Sequence, residues 1–177
     1  VIGDARRGST ARRWEIALAC AAALLVIAGV AFAASVAVPP TIANLASEVS
    51  DGTAATELGD ASVVVPAEWV ITRDSADAIT VRTPDGALRA SLQTVHEKPA
   101  DAVAQGAGAD AAPRSELLAS GLTVMHADLD DGDLVAAVGT PDAAPSVRVV
   151  VQVRPPDGGA PAAYRAAIGD LLEGIRR

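Results

Sequence analysis

Aromatic side chains are almost missing from this chain. Only Trp14, Phe32, Trp69 and Tyr164 occur among 177 residues. The first two fall near the N-terminus, so a folded C-terminal part must build its core from Val, Leu, Ile and Ala. Such a core buries little area per residue, which limits its stability. Cysteine is equally scarce. Cys20 stands alone, which excludes an intramolecular disulfide. Lysine and asparagine are each present once, as Lys98 and Asn44, against thirteen arginines. Ala, Arg, Gly, Val, Asp and Pro use GC-rich codons, so the composition is that expected of a high-GC bacterium such as an actinobacterium.

The motifs of common chemistries are missing too. The chain has no G-x-S-x-G elbow, phosphate loop, dinucleotide fingerprint or H-E-x-x-H. His96 and His126 are the only histidines, and their separation does not fit a zinc site. Asp128, Asp130, Asp131 and Asp133 form an acidic cluster that invites a calcium reading. In a calcium loop the glycine would fall one residue later than Gly132, and Gly139 stands where the bidentate Glu belongs. A hairpin turn explains the cluster better. No catalytic, cofactor-binding or metal-ligating residue is therefore assigned, and no cofactor is expected. After Pro39 there are twenty acidic residues against ten basic, a net charge of −10. That excess disfavours nucleic acid as a partner, and likewise docking onto anionic lipid.

One feature is abundant. Residues 16–38, IALACAAALLVIAGVAFAASVAV, carry no charge over 23 positions. As a helix the run spans roughly 35 Å, enough for a hydrocarbon core of about 30 Å. Arg6, Arg7, Arg12 and Arg13 precede it, and the next charge is Glu48. The positive-inside rule then places residues 1–15 in the cytoplasm and everything after the span outside. A cleaved signal peptide is the alternative, with Ala31-Phe32-Ala33 as the processing site. Both readings export the C-terminal part.

Beyond Pro39-Pro40, Ile42, Leu45, Ala46 and Val49 recur at helical spacing. They predict a short juxtamembrane helix over 41–50, followed by a linker over 51–58. Strand signals then dominate. Val63-Val64-Val65, residues 69–72, 79–82 and 88–92 read as strands, with a Thr83-Pro84-Asp85-Gly86 turn joining the last two. Residues 97–112 read as a weak helix or irregular loop, and 113–120 as a further helical turn. A second hairpin joins 122–129 to 134–138. Residues 146–154 alternate Val147, Val149, Val151 and Val153 against Arg148, Gln152 and Arg154, a strand with one core face and one partly wet face. A C-terminal helix presents Tyr164, Ile168, Leu171, Leu172 and Ile175 as an apolar stripe to the sheet, with Arg176 and Arg177 at its negative end.

The run Val63-Val64-Val65-Pro66-Ala67-Glu68-Trp69 resembles the V-P-x-G-W opening of PsbP/Mog1-like domains, with Glu68 at the glycine position. The 85–86 hairpin and the final apolar stripe follow in the same order, so the resemblance spans residues 58–177, about two thirds of the chain. It implies an antiparallel sheet covered by a C-terminal helix, in a superfamily composed mostly of binding and assembly factors. It carries over no functional residue.

The expected organisation is a basic cytoplasmic tail (1–15), a single transmembrane helix (16–38), a juxtamembrane helix and linker (39–57) and an extracytoplasmic α+β domain (58–177). The expected function is that of a membrane-tethered binding or accessory module serving an envelope protein or complex. The alternatives are a small-molecule or lipid-binding domain with its pocket between helix and sheet, and an exported enzyme. Trp69 is the residue singled out as a possible partner contact, against an ordinary packing role.

Overall fold

The computed structural model describes residues 47–108, 112–129 and 132–177, apart from the side chain of Asp157. The tail at 1–15, the apolar run at 16–38 and the chain up to residue 46 lie outside these described residues. Among the described residues no helix is long and apolar enough to cross a membrane.

The valine alternation at 146–154 forms the middle of the fold. Strand β10 (Ser146–Val153) pairs antiparallel with β6 (Leu88–Val95) along its whole length and with β9 (Leu134–Gly139) on its other side. Val147, Val149, Val151 and Val153 are buried on one face, beside Leu88, Ala90 and Leu92 of β6. The sheet grows outward in both directions. On one side stand β5 (Ala78–Arg82), β4 (Val70–Arg73) and β1 (Ser47–Val49); on the other, β8 (Thr123–Asp128) and β7 (Arg114–Leu117). The order is β1-β4-β5-β6-β10-β9-β8-β7, antiparallel throughout. A three-stranded sheet holds β2 (Ala55–Leu58), β3 (Ala61–Val64) and β11 (Ile175–Arg176).

The valine face carries the main core. Leu58, Val63 and Val65 from the small sheet region join it, as do Trp69 and the helix α2 (Arg165–Glu173) through Ile168, Leu171 and Leu172. The opposite face is divided. Helix α1 (Pro99–Ala107) covers the β8–β9 end with Ala102 and Val103 against Ala127 and Ala137. At Gly106 a Cβ would come within 2.7 Å of Val135 Cγ1, so the glycine admits the close approach of helix to sheet. The β4–β6 part of that face is polar and wet, with Arg82 and Arg89 exposed and Arg148 donating to Gln93 Oε1 at 2.9 Å.

Side chains tie the small sheet to the large one. The Ser50 hydroxyl donates to the Val65 carbonyl and the Thr94 hydroxyl to the Leu58 carbonyl, both at 2.6 Å. At the C-terminus the Gly174 carbonyl accepts from Val64 N–H at 3.0 Å, and Ile175 pairs with Val63.

Antiparallel sheet and C-terminal helix agree with the sequence reading, as do both hairpins. Three details differ. The helix expected over 41–50 and the linker over 51–58 are replaced, within the described residues, by β1 and β2. Val49 is 68% exposed, so its helical spacing reflects no apolar face. Thr56 and Leu58 are buried in alternation with exposed Ala55 and Glu57, a strand pattern hidden by a glycine- and alanine-rich composition. The helical turn expected at 113–120 is strand β7, an exposed edge whose polar residues give no periodicity to read. The final helix ends at Glu173, and Ile175 belongs to β11. Its first turn, Pro161–Tyr164, is 3-10. Arg176 nevertheless donates to the Glu173 carbonyl, so a cation does serve the helix end.

Glu68 takes a φ of +69°, a region that favours glycine. The turn is held there because Glu68 N–H donates to the Ser50 carbonyl and Ser50 N–H to the Trp69 carbonyl, both at 2.8 Å. Left-handed backbone costs an L-residue about 1–2 kcal/mol, partly offset by the greater freedom glycine has when unfolded. Glu68→Gly is therefore expected to stabilise the fold by about 0.5–1 kcal/mol in urea denaturation. A loss of stability would show that the Glu68 side chain contributes more than its backbone costs.

Candidate functional site

The large sheet extends past its covering helix, and a groove of about 480 Å³ is left between them. Register explains its lining. Across the valine face, Val149 lies opposite Ala136, Ala136 opposite His126, and His126 opposite Arg114. The adjacent row runs Val147, Val138, Val124 and Glu116. One face thus changes from pure valine and alanine at β10 and β9 to ionisable groups at β8 and β7. Helix α2 lies over the apolar part, and Arg165, Gly169 and Glu173 border the groove from above. The floor is apolar, with Leu118, Val124 and Leu134 among its residues.

The rim charges are engaged with one another. Asp128 sits 3.6 Å from Arg114 of β7 and 3.6 Å from Arg165 of α2, spanning the groove from edge strand to helix. Glu173 accepts the Ala119 N–H through both carboxylate oxygens, at 3.1 and 3.0 Å, which pins the end of α2 to the β7–β8 turn. His126 Nε2 lies 3.3 Å from Glu116 Oε1, whereas its Nδ1 is buried with no hydrogen-bond partner among the described residues. An orphaned lone pair costs less than an orphaned N–H in that position, so the tautomer carries its proton on Nε2 and donates it to Glu116.

Gly169 is the unusual member. It sits in the middle of α2, where glycine costs about 1 kcal/mol relative to alanine, yet a Cβ there would meet nothing within 4 Å. No packing contact requires the glycine. Its effect is to leave room at the groove wall.

The residues noted in the sequence are distributed differently. Within the acidic cluster Asp130 and Asp131 lie outside the described residues. Asp128 belongs to the groove rim, and Asp133 binds Arg154 with both oxygens, at 2.5 and 2.9 Å. Hydrogen bonding from Arg154 holds the Asp133 carboxyl below its usual range. Both described carboxylates of the cluster thus serve arginines, and no group of three metal-ligating side chains converges among the described residues. His96 is exposed beyond the end of β6, three strands away from His126 in the sheet order. Trp69 is 5% exposed within the main core, which gives it a packing role and removes it as a partner contact. Sequence reading named a pocket between helix and sheet only as an alternative and none of its lining residues, and Gly169 inside an amphipathic helix was the one local signal for its place.

Behind α2, Tyr164 donates to Asp85 Oδ2 at 2.7 Å and joins the helix to the β5–β6 turn. Asp85 also accepts from the Thr83 hydroxyl and from Ala87 N–H. These bonds, the Thr83 hydroxyl foremost, hold the Asp85 carboxyl below its usual range, and the same contact raises the Tyr164 phenol. No protein-family model, curated protein or solved structure matches the chain.

Because the folded Asp85 titrates below the unfolded value of 3.8, its contribution to stability is complete above that pH and is lost as pH falls through the folded value. Asp85→Asn is expected to lower stability at pH 7 and to flatten its decline below about pH 4. Urea melts across that range check it. Parallel acid limbs in both proteins would deny Asp85 this role.

Proposed function

We propose that the chain is a membrane-tethered, extracytoplasmic binding module that serves an envelope protein or complex, with the groove between α2 and the β7–β9 end of the sheet as its recognition site. The observation that carries the reading is Gly169. A helix-weakening residue stands where no neighbour needs it and where it keeps a partly apolar groove open. An apolar floor beneath a charged rim suits recognition of an amphipathic group. In this reading residues 16–38 are the single-pass anchor, the arginine-rich tail stays in the cytoplasm, and the sheet domain faces outward. The PsbP-like resemblance is consistent with an accessory role but names no partner.

A small amphipathic molecule is the second reading, favoured by the groove volume, which falls in the range of ligand pockets, about 300–1,000 Å³. An enzymatic role has less support. The rim carboxylates Asp128, Glu116 and Glu173 are held by arginines, a histidine or a backbone amide.

Gly169→Leu separates a recognition site from an accident of packing. Its side chain enters the open groove, and the helix gains up to about 1 kcal/mol of propensity. The full-length variant is expected to be as stable as the parent or more so. A photo-cross-linker placed at Arg165 should capture one dominant envelope protein in intact cells, and Gly169→Leu should abolish the adduct. Undiminished capture would remove the groove from function. Adducts of a small molecule alone would shift the assignment to the second reading.

A further inference from the structure

We infer that the free edge of β7 is a self-association surface, which joins two copies of this chain into one continuous antiparallel sheet. β7 ends the eight-stranded order, so among the described residues no strand pairs with its outer side. All four of its residues are exposed, and Leu117 is 77% exposed. Ladder geometry shows which backbone groups are free. Leu118 donates to the Leu122 carbonyl at 2.9 Å, which makes 118 and 122 a hydrogen-bonded pair. In an antiparallel ladder these alternate, so Glu116 with Val124 and Arg114 with His126 are also hydrogen-bonded pairs. Ser115 and Leu117 therefore turn their N–H and C=O groups outward, an unfilled template for another strand.

The side chains select the occupant. Arg114 and Glu116 flank Ser115 and share one face. A two-fold axis through Ser115 places Arg114 opposite Glu116 of the second copy, and Glu116 opposite its Arg114. These are non-hydrogen-bonded positions, where opposing side chains lie closest. The same register sets Leu117 opposite Pro113 on the other face, where Leu117 N–H meets the Pro113 carbonyl and the Leu117 carbonyl, which proline cannot serve, stays with water. An axis through Glu116 would oppose two glutamates, and an axis through Leu117 would leave both charges without a counterpart. One register pairs both charges, and it is self-complementary, as a two-fold contact must be. Arg114 is 71% exposed and its contact with Asp128 is 3.6 Å long, so its guanidinium is free to reach across while keeping that neighbour. The opposite edge, β1, offers no such match, because its only charge is Glu48. The outward backbone groups belong to the edge alone, whereas Arg114 and Glu116 also stand at the groove rim; the pairing does not depend on the groove's being a recognition site.

Sedimentation equilibrium of the full-length chain in density-matched detergent, with charge reversals at the two positions, tests the pairing. The parent is expected to dimerise. Arg114→Glu and Glu116→Arg should each weaken the dimer at least tenfold, and the double reversal should restore it. In a Cys20→Ser background, a short bifunctional thiol reagent should cross-link Ser115→Cys and not Val49→Cys. Circular dichroism confirms that each variant is folded. A chain that is monomeric at all concentrations overturns the inference. So does a dimer that neither reversal affects, since its contact would lie elsewhere, and so does a double reversal that fails to restore association while remaining folded.

Discussion

The contact between Gly174 and Val64 is the constraint from which the arrangement over the sheet follows. A Cβ on Gly174 would lie 2.1 Å from the Val64 carbonyl oxygen, a distance no side chain tolerates. Only glycine lets the chain leave α2, touch the backbone of β3 and continue directly into β11. That short connection fixes the end of the helix, because Ile175 is buried and paired with Val63 immediately afterwards. Glu173 binds the β7–β8 turn on the other side. Helix α2 is thus held between β3 and β7, with Tyr164 anchoring its start to Asp85. The groove is the space that this placement leaves uncovered.

The scarcity of aromatic residues makes such contacts necessary. Valine and alanine faces are shallow, so a helix must approach closely to bury them without voids. Gly106 allows that for α1 as Gly174 does for α2. Where the approach is close the sheet face is apolar. Where α2 no longer reaches, at β7 and β8, the same face carries Arg114, Glu116, His126 and Asp128. Packing and recognition therefore share one surface, and the change from one to the other follows the strand order.

Much of this fold was legible in the sequence because the valine alternation of β10 and the turn residues at 83–86 encode register locally. The apolar stripe of α2 was legible for the same reason. β7 was not, since Arg114, Ser115 and Glu116 are polar and an edge strand has no buried face to impose a period. β1 and β2 were hidden by short length and by residues of low strand propensity. A pocket between helix and sheet was foreseen as an alternative, but its position and lining were the least legible feature. It depends on how far α2 reaches across β8, which tertiary contacts at Glu173 and Gly174 decide. The acidic cluster misled for a related reason. Arg154, the residue that neutralises Asp133, lies 21 positions away in sequence and becomes adjacent only in the folded sheet.

The groove takes its shape only if the Gly174 closure positions α2. Hydrogen exchange of the full-length chain carrying Gly174→Val, compared with the parent, tests it most directly. Amides of 165–176 and of β3 should exchange at least tenfold faster, while those of β6 and β10 stay protected, because the central strands do not depend on the closure. Unchanged protection across α2 would contradict the claim and would mean that its apolar stripe alone holds the helix over the sheet.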